Sequence, residues 1–134
     1  MGKSTNYNLS YSEKTGYLHV VVTGRNSREN VAMYLADVLK ECNKRNYPRV
    51  LIEERLHGPR LKLTDVFQIV SDAANSSDRT LKSIAYVDMN AEGDLMKFAE
   101  TVAFNRSLPA QVFTTLEDAE KWLADRGPAS SSFV

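Results

Sequence analysis

Cysteine is almost absent. Cys42 stands alone in 134 residues, which excludes an internal disulfide and any site built from several thiolates. Histidine is nearly as scarce: only His19 and His57 occur, with neither HxH nor HExxH spacing, so no metal or cofactor is expected. Net charge is missing too, because 17 Lys and Arg balance 17 Asp and Glu. No whole-molecule field would then hold the chain on nucleic acid or an anionic membrane. There is no run of about 18 apolar residues to span a membrane. The opening MGKSTNYNLS lacks the apolar core of a secretion signal and has Asn6 where a myristoylation pattern asks for Ser or Thr. A protein of the reducing cytoplasm, with no nucleic-acid partner and no stable membrane insertion, is expected.

What is present is the make-up of one globular domain, 43% hydrophobic and 25% charged, at the common size of roughly 100–150 residues. Polar tails are expected at 1–6 and 127–134 around a domain at 7–126. Tyr7 to Ser12 and Tyr17 to Gly24 read as strands around the turn Glu13-Lys14-Thr15-Gly16. The second, YLHVVVTG, is apolar enough for a strand covered on both faces. Asn26, with Glu29 three residues on, has capping-box spacing for a helix whose stripe is Val31, Tyr34, Leu35, Val38, Leu39 and Cys42. Pro48 ends it. Val50-Leu51-Ile52 opens a strand that runs out into His57-Gly58-Pro59, and Thr64 caps a helix with Val66, Phe67, Val70, Ala73 and Ala74 inward. Residues 75–80 read as a loop, Leu81 to Asp88 as a strand, and Asn90 to Arg106 as a helix with Leu95, Phe98, Ala99 and Val102 inward. Gln111 to Thr114 is a short strand, and Thr115 with Asp118 opens a last helix that buries Leu116, Ala119, Trp122 and Leu123.

The order β-β-α-β-α-β-α-β-α implies an α/β fold with a mostly parallel five-stranded sheet flanked by helices, its first strand antiparallel at an edge. In such sheets ligands bind beyond the carboxyl ends of the parallel strands. Arg25, His57, Arg60, Thr64, Asp88 and Asn90 fall there and are the candidate ligand or partner residues. Arg55, His57, Arg60 and Lys62, with Arg25 and Arg28 nearby, are either an anion seat at a helix start or a solvated loop neutralised by Glu29, Glu53 and Glu54. Glu53 and Glu54 point to opposite faces, which excludes joint action on one atom and leaves one of them an ion-pair partner. His19 and Cys42 read as packed side chains. No nucleophile has a recognisable setting, so no catalytic residue is assigned.

YLHVVVTG, RVLIEERLHG, SIAYVD and QVFTTLEDAEKWL, in this element order, resemble the SpoIIAA-like domains, relatives of the STAS fold of bacterial anti-sigma-factor antagonists. The likeness covers roughly Tyr7 to Asp125. It implies a small non-enzymatic α/β module for regulatory protein contacts, in a branch grouped with CRAL-TRIO lipid carriers. Antagonists of that type carry a phosphorylatable serine in a D-S/T-S-G context at the start of the second helix. This chain has Leu63-Thr64-Asp65-Val66, so Thr64 is the candidate phosphorylation residue.

Two functions follow. The first is a non-enzymatic binding module that meets a protein partner or a small apolar or anionic ligand at the strand ends. The second is a carrier or sensor of an apolar molecule or lipid, held between the third helix, the last helix and the sheet. The surplus of Met89, Leu95, Met96, Phe98, Val102 and Phe104 suggests either that pocket or a homodimer contact. A hydrolase using His57 with Glu54 is the third class.

Overall fold

The computed structural model describes residues 7–58, 61–76, 81–88, 93–106 and 108–125. The chain runs β1 (Tyr7–Lys14), β2 (Tyr17–Arg25), α1 (Arg28–Arg45), β3 (Arg49–His57), α2 (Leu63–Ser76), β4 (Ser83–Asp88), α3 (Gly93–Asn105), β5 (Ala110–Phe113) and α4 (Leu116–Asp125). The strands lie in the order β1-β2-β3-β4-β5. β1 is antiparallel to β2, and β2 through β5 are mutually parallel. The expected element order and antiparallel edge are both present. Both terminal tails, most of the 75–80 loop, Met89, and the side chains of Leu95 and Met96 lie outside the described set.

This strand order decides the layering. Each parallel crossover steps one place in the same direction, and right-handed crossovers then put α1, α2 and α3 on one face. α4 follows the last strand and folds back over the other. Alternation along each strand sorts the side chains accordingly. Leu18, Val20, Val22, Val50, Ile52 and Ile84 face the three helices, and Leu51, Ala85 and Val87 face Ala119 and Leu123 of α4. α4 has ten residues and packs on β3, β4 and β5. His19 and Val21 of β2 are therefore only half-buried, and the expectation that β2 is covered on both faces fails because α4 packs mainly on β3 to β5 and meets β2 only around Tyr17.

Local chemistry shifts several predicted boundaries. Asn26 is not the cap of α1. Ser27 is extended, and its Oγ accepts from the backbone N–H of Asn30 at 3.1 Å. The N–H of Asn26 donates instead to the carbonyl of His57 at 2.6 Å, which ties the end of β3 to the start of α1. At its other end α1 closes on Asn46 with φ 62°, the N–H of Tyr47 returning to the carbonyl of Cys42 at 2.9 Å. Thr64 is likewise inside the first turn of α2, which starts at Leu63, so it is not a cap. The inward side of α2 is Val66, Ile69 and Ala73, while Phe67 is 42% exposed beneath the Arg106 guanidinium, 5.3 Å from the ring. β4 starts at Ser83, two residues later than the apolar pattern suggests, although Leu81 is still buried. In α4 the expected opening holds, with Thr115 Oγ1 accepting from the N–H of Asp118 at 3.1 Å.

Candidate functional site

β3 carries the alternation Val50, Ile52, Glu54, Leu56 on the helix side of the sheet, so one carboxyl sits at the end of an otherwise apolar row. β4 contributes Tyr86 and Asp88 beside it, Asp88 being in register with Glu54. α1 brings Tyr34 across from above, because its apolar stripe faces this side. The Tyr34 hydroxyl donates to Glu54 Oε2 at 2.6 Å and the Tyr86 hydroxyl to the same oxygen at 2.5 Å, and the two hydroxyls also touch each other.

Of these groups Glu54, Tyr86 and Asp88 line a cavity of about 550 Å³ between the sheet and helices α1 to α3, and Tyr34 reaches the cluster without lining it. Ile52, Ile84 and Val112 form its floor, and Leu35, Ile69 and Ala103 come from the three helices. α2 packs on α1 and α3 and stands off the strands, so it roofs the space. At the strand ends Asn26, His57, Gly58 and Asp88 frame the cavity. The volume lies in the usual small-molecule range of about 300–1,000 Å³, and a few polar groups in an apolar wall are the usual composition of such sites.

Burial sets the electrostatics. Glu54 is lifted from 4.5 to about 7 because enclosure disfavours its charge; the two tyrosine hydrogen bonds pull it down, and Asp88 beside it pushes it up again by repulsion and hydrogen bonding. Enclosure also raises the Tyr34 and Tyr86 phenols well above their ordinary range, with the Glu54 charge adding to it. Glu100 of α3, also on the cavity, accepts the backbone N–H of Val112 at 2.8 Å.

Glu53 behaves oppositely on the other face. Burial alone would raise it, but Arg55 (Nε 2.7 Å, Nη2 2.5 Å) and His19 (Nε2 3.0 Å) hold its carboxylate below 4.5. It is the ion-pair partner expected of one of the two glutamates. The same contacts engage two of the basic residues of the expected anion seat. Arg55 turns to Glu53, and Arg28 lies 3.8 Å from Glu29 and 3.9 Å from Asp65. Arg25 and Lys62 are exposed and do not line the cavity. The solvated, neutralised loop is the reading these contacts favour.

Of the predicted site residues, His57 and Asp88 reach the cavity, whereas Arg25 and Thr64 are exposed outside it. Arg60 and Asn90 lie outside the described residues. α4 contributes nothing to the cavity lining, so the expected pocket between third helix, last helix and sheet moves to α1, α2 and α3. Sequence reasoning missed Tyr34 and Tyr86 as polar-cluster residues and named Glu54 only as the partner of His57 in the hydrolase reading. The available signal was a lone acid on the apolar face of β3. Cys42 is buried, its thiol pushed up to about 12 by burial, so it serves as a small core side chain. Among the described residues no group of three or more His, Cys, Asp or Glu is placed to hold a metal ion, and no helix is long and apolar enough to cross a membrane.

Compared with known proteins, the sequence matches no family model and no curated protein.

Proposed function

We propose that this domain is a carrier or sensor of a small, largely apolar molecule. The observation that carries the reading is the cavity of about 550 Å³ under α2, mostly apolar on its walls, with Glu54, Tyr86 and Asp88 grouped at the strand ends and Asn26, His57 and Glu100 as its other polar lining residues. A domain of this size gains stability from close packing at crystal-like density. A space this large in its principal core is a stability cost that a bound molecule would offset. The polar end supplies orientation. The reading is non-enzymatic: the carboxyl and hydroxyls are arranged around one another, without a nucleophile and activating base.

The test uses N-phenyl-1-naphthylamine, a neutral fluorophore that brightens in apolar surroundings. Saturable one-to-one binding is expected. It is lost in Ala103→Leu, which extends a buried wall residue into the cavity and leaves cooperative unfolding at an equal or higher temperature. A wild-type protein that binds none of the probe sinks the reading.

The SpoIIAA-like assignment is proposed beside it, supported by the element order and the antiparallel edge strand. A regulatory protein contact is the second reading, favoured by Leu63 and Phe67 on one side of α2, 52% and 42% exposed, and Phe104 of α3, 83% exposed. Thr64, exposed in the same helix, is its candidate phosphorylation residue. Light scattering at the monomer mass over all concentrations dismisses its homodimer form, and phosphopeptide mapping that never finds Thr64 modified removes the switch.

A further inference from the structure

We propose that the free edge of β1 pairs with the β1 edge of a second copy of this chain, antiparallel about a two-fold axis at Ser10, so that two sheets join into one. The inference depends neither on the cavity nor on the exposed side chains of α2 and α3.

The two edges of the sheet are built differently. β5 is four residues long and follows Pro109, and the N–H of Val112 is already taken by Glu100 Oε2 at 2.8 Å. A short strand, a proline and a capped N–H are ordinary ways of closing an edge to further strands. β1 has none of them. It is eight residues long, keeps unbroken register with β2 from Tyr7 to Lys14, contains no proline, and carries no charge from Tyr7 to Ser12. Alternate residues of an antiparallel strand turn both N–H and C=O away from the neighbour they pair with. Among the described residues no side chain caps the β1 backbone as Glu100 caps Val112.

Self-complementarity names the occupant and the register. Tyr7, Leu9 and Tyr11 lie on the α1 face, where the Tyr7 hydroxyl donates to Asp37 Oδ2 at 2.7 Å and the Arg45 guanidinium stands 5.0 Å from the Tyr11 ring. Asn8, Ser10 and Ser12 are exposed on the opposite face. With Ser10 beside its own copy, Leu9 meets Tyr11 and Asn8 meets Ser12 in both halves, apolar against apolar and polar against polar. Leu9 and Tyr11 are half-buried in one copy, and pairing covers more of both. A register centred on Tyr11 would set Leu9 against Glu13, and one centred on Leu9 would shorten the ladder to 7–11.

Charge fits the same register. α1 runs alongside β1, with Asp37 at Tyr7 and Arg45 at Glu13. The axis therefore turns the exposed Asp37 of each copy toward the Lys44–Arg45 end of the other copy's α1, and an isologous contact makes that pairing twice.

Sedimentation velocity of the full chain, over about a hundredfold range of concentration, is expected to show a monomer–dimer equilibrium. Ser10→Lys sets two ammonium groups against each other on the axis and should weaken the dimer by about tenfold or more, whereas Ser12→Lys faces Asn8 of the second copy and should change it by less than about threefold. Both positions are exposed, and both variants should unfold as cooperatively as the wild type. Mild oxidation of Ser10→Cys should give a disulfide-linked dimer and Ser12→Cys little, because only position 10 meets itself; native Cys42 is buried. A wild type that stays monomeric throughout, a dimer that Ser10→Lys leaves as tight as before, or Ser12→Cys linking as readily as Ser10→Cys overturns the proposal. None of these results bears on fluorophore binding, which tests the cavity separately.

Discussion

On β3 the adjacent residues Glu53 and Glu54 face the two sides of the sheet, and each acid takes the character of its side. Glu53 lies under the α4 face, where Arg55 and His19 hold its carboxylate ionised. Glu54 lies at the end of a cavity with two phenols and a second acid, and its carboxyl keeps its proton to about pH 7. The packing differs in the same way. The α4 face is a close contact of Leu51, Ala85, Val87, Ala119 and Leu123, whereas the three-helix face retains about 550 Å³ of space. One side of the sheet is finished in the free protein. The other keeps an open volume.

The packing half of this contrast is exposed by truncation. Leu123 is 1% exposed in the close-packed layer, and Leu123→Ala should cost about 2–5 kcal/mol because the new hole adds to the lost transfer energy. Leu39 of α1 lines the existing cavity and is only partly buried, so Leu39→Ala should cost less than about 2 kcal/mol, with little new cavity to create. Urea unfolding of the two variants measures the difference, and equal losses would mean that the faces are equally packed.

The next effect is electrostatic. Glu54 has a folded pKa of about 7 against 4.5 unfolded. It is protonated in both states below 4.5, where its contribution is fully present. As pH rises through 7 the folded state must ionise it against burial, and stability falls by on the order of 3 kcal/mol. Glu54→Gln removes that slope. The variant should gain on the wild type between pH 5 and pH 8, and parallel stability curves over that range would show that Glu54 titrates normally.

How much of this was open to sequence reasoning follows from where each signal lives. Period 2 and period 3.6 are local, so all nine elements and the α1 stripe from Val31 to Cys42 could be read directly. The opposite directions of Glu53 and Glu54 follow from alternation alone. Which of them would be paired does not, because the partners arrive from other elements: His19 lies 34 positions from Glu53, and Tyr86 lies 32 from Glu54. Tyr34 is the clearest case. Its helical spacing marks it as core, and it is fully buried, yet its hydroxyl is part of the polar cluster. In the basic loop, too, partners come from elsewhere in space. Arg55 is drawn back along its own face to Glu53, so charge counted along the chain overstates what that residue offers to the loop.

The smallest effect has the opposite sign and closes the comparison on β3. Glu53 is held below 4.5, so its contribution is present above that pH and is lost as pH falls through the lower folded value. Glu53→Gln keeps the shape and one acceptor but gives up the charge. Arg55 is 57% exposed, so water screens much of that ion pair, and the loss should be about 1 kcal/mol near neutral pH, shrinking towards zero in acid. At pH 8, therefore, one Glu→Gln change should destabilise the protein and its neighbour on the same strand should stabilise it. Urea midpoints of the two variants at pH 8 and pH 4 test this directly. If both shift in one direction at pH 8, strand alternation has not given the two glutamates separate environments.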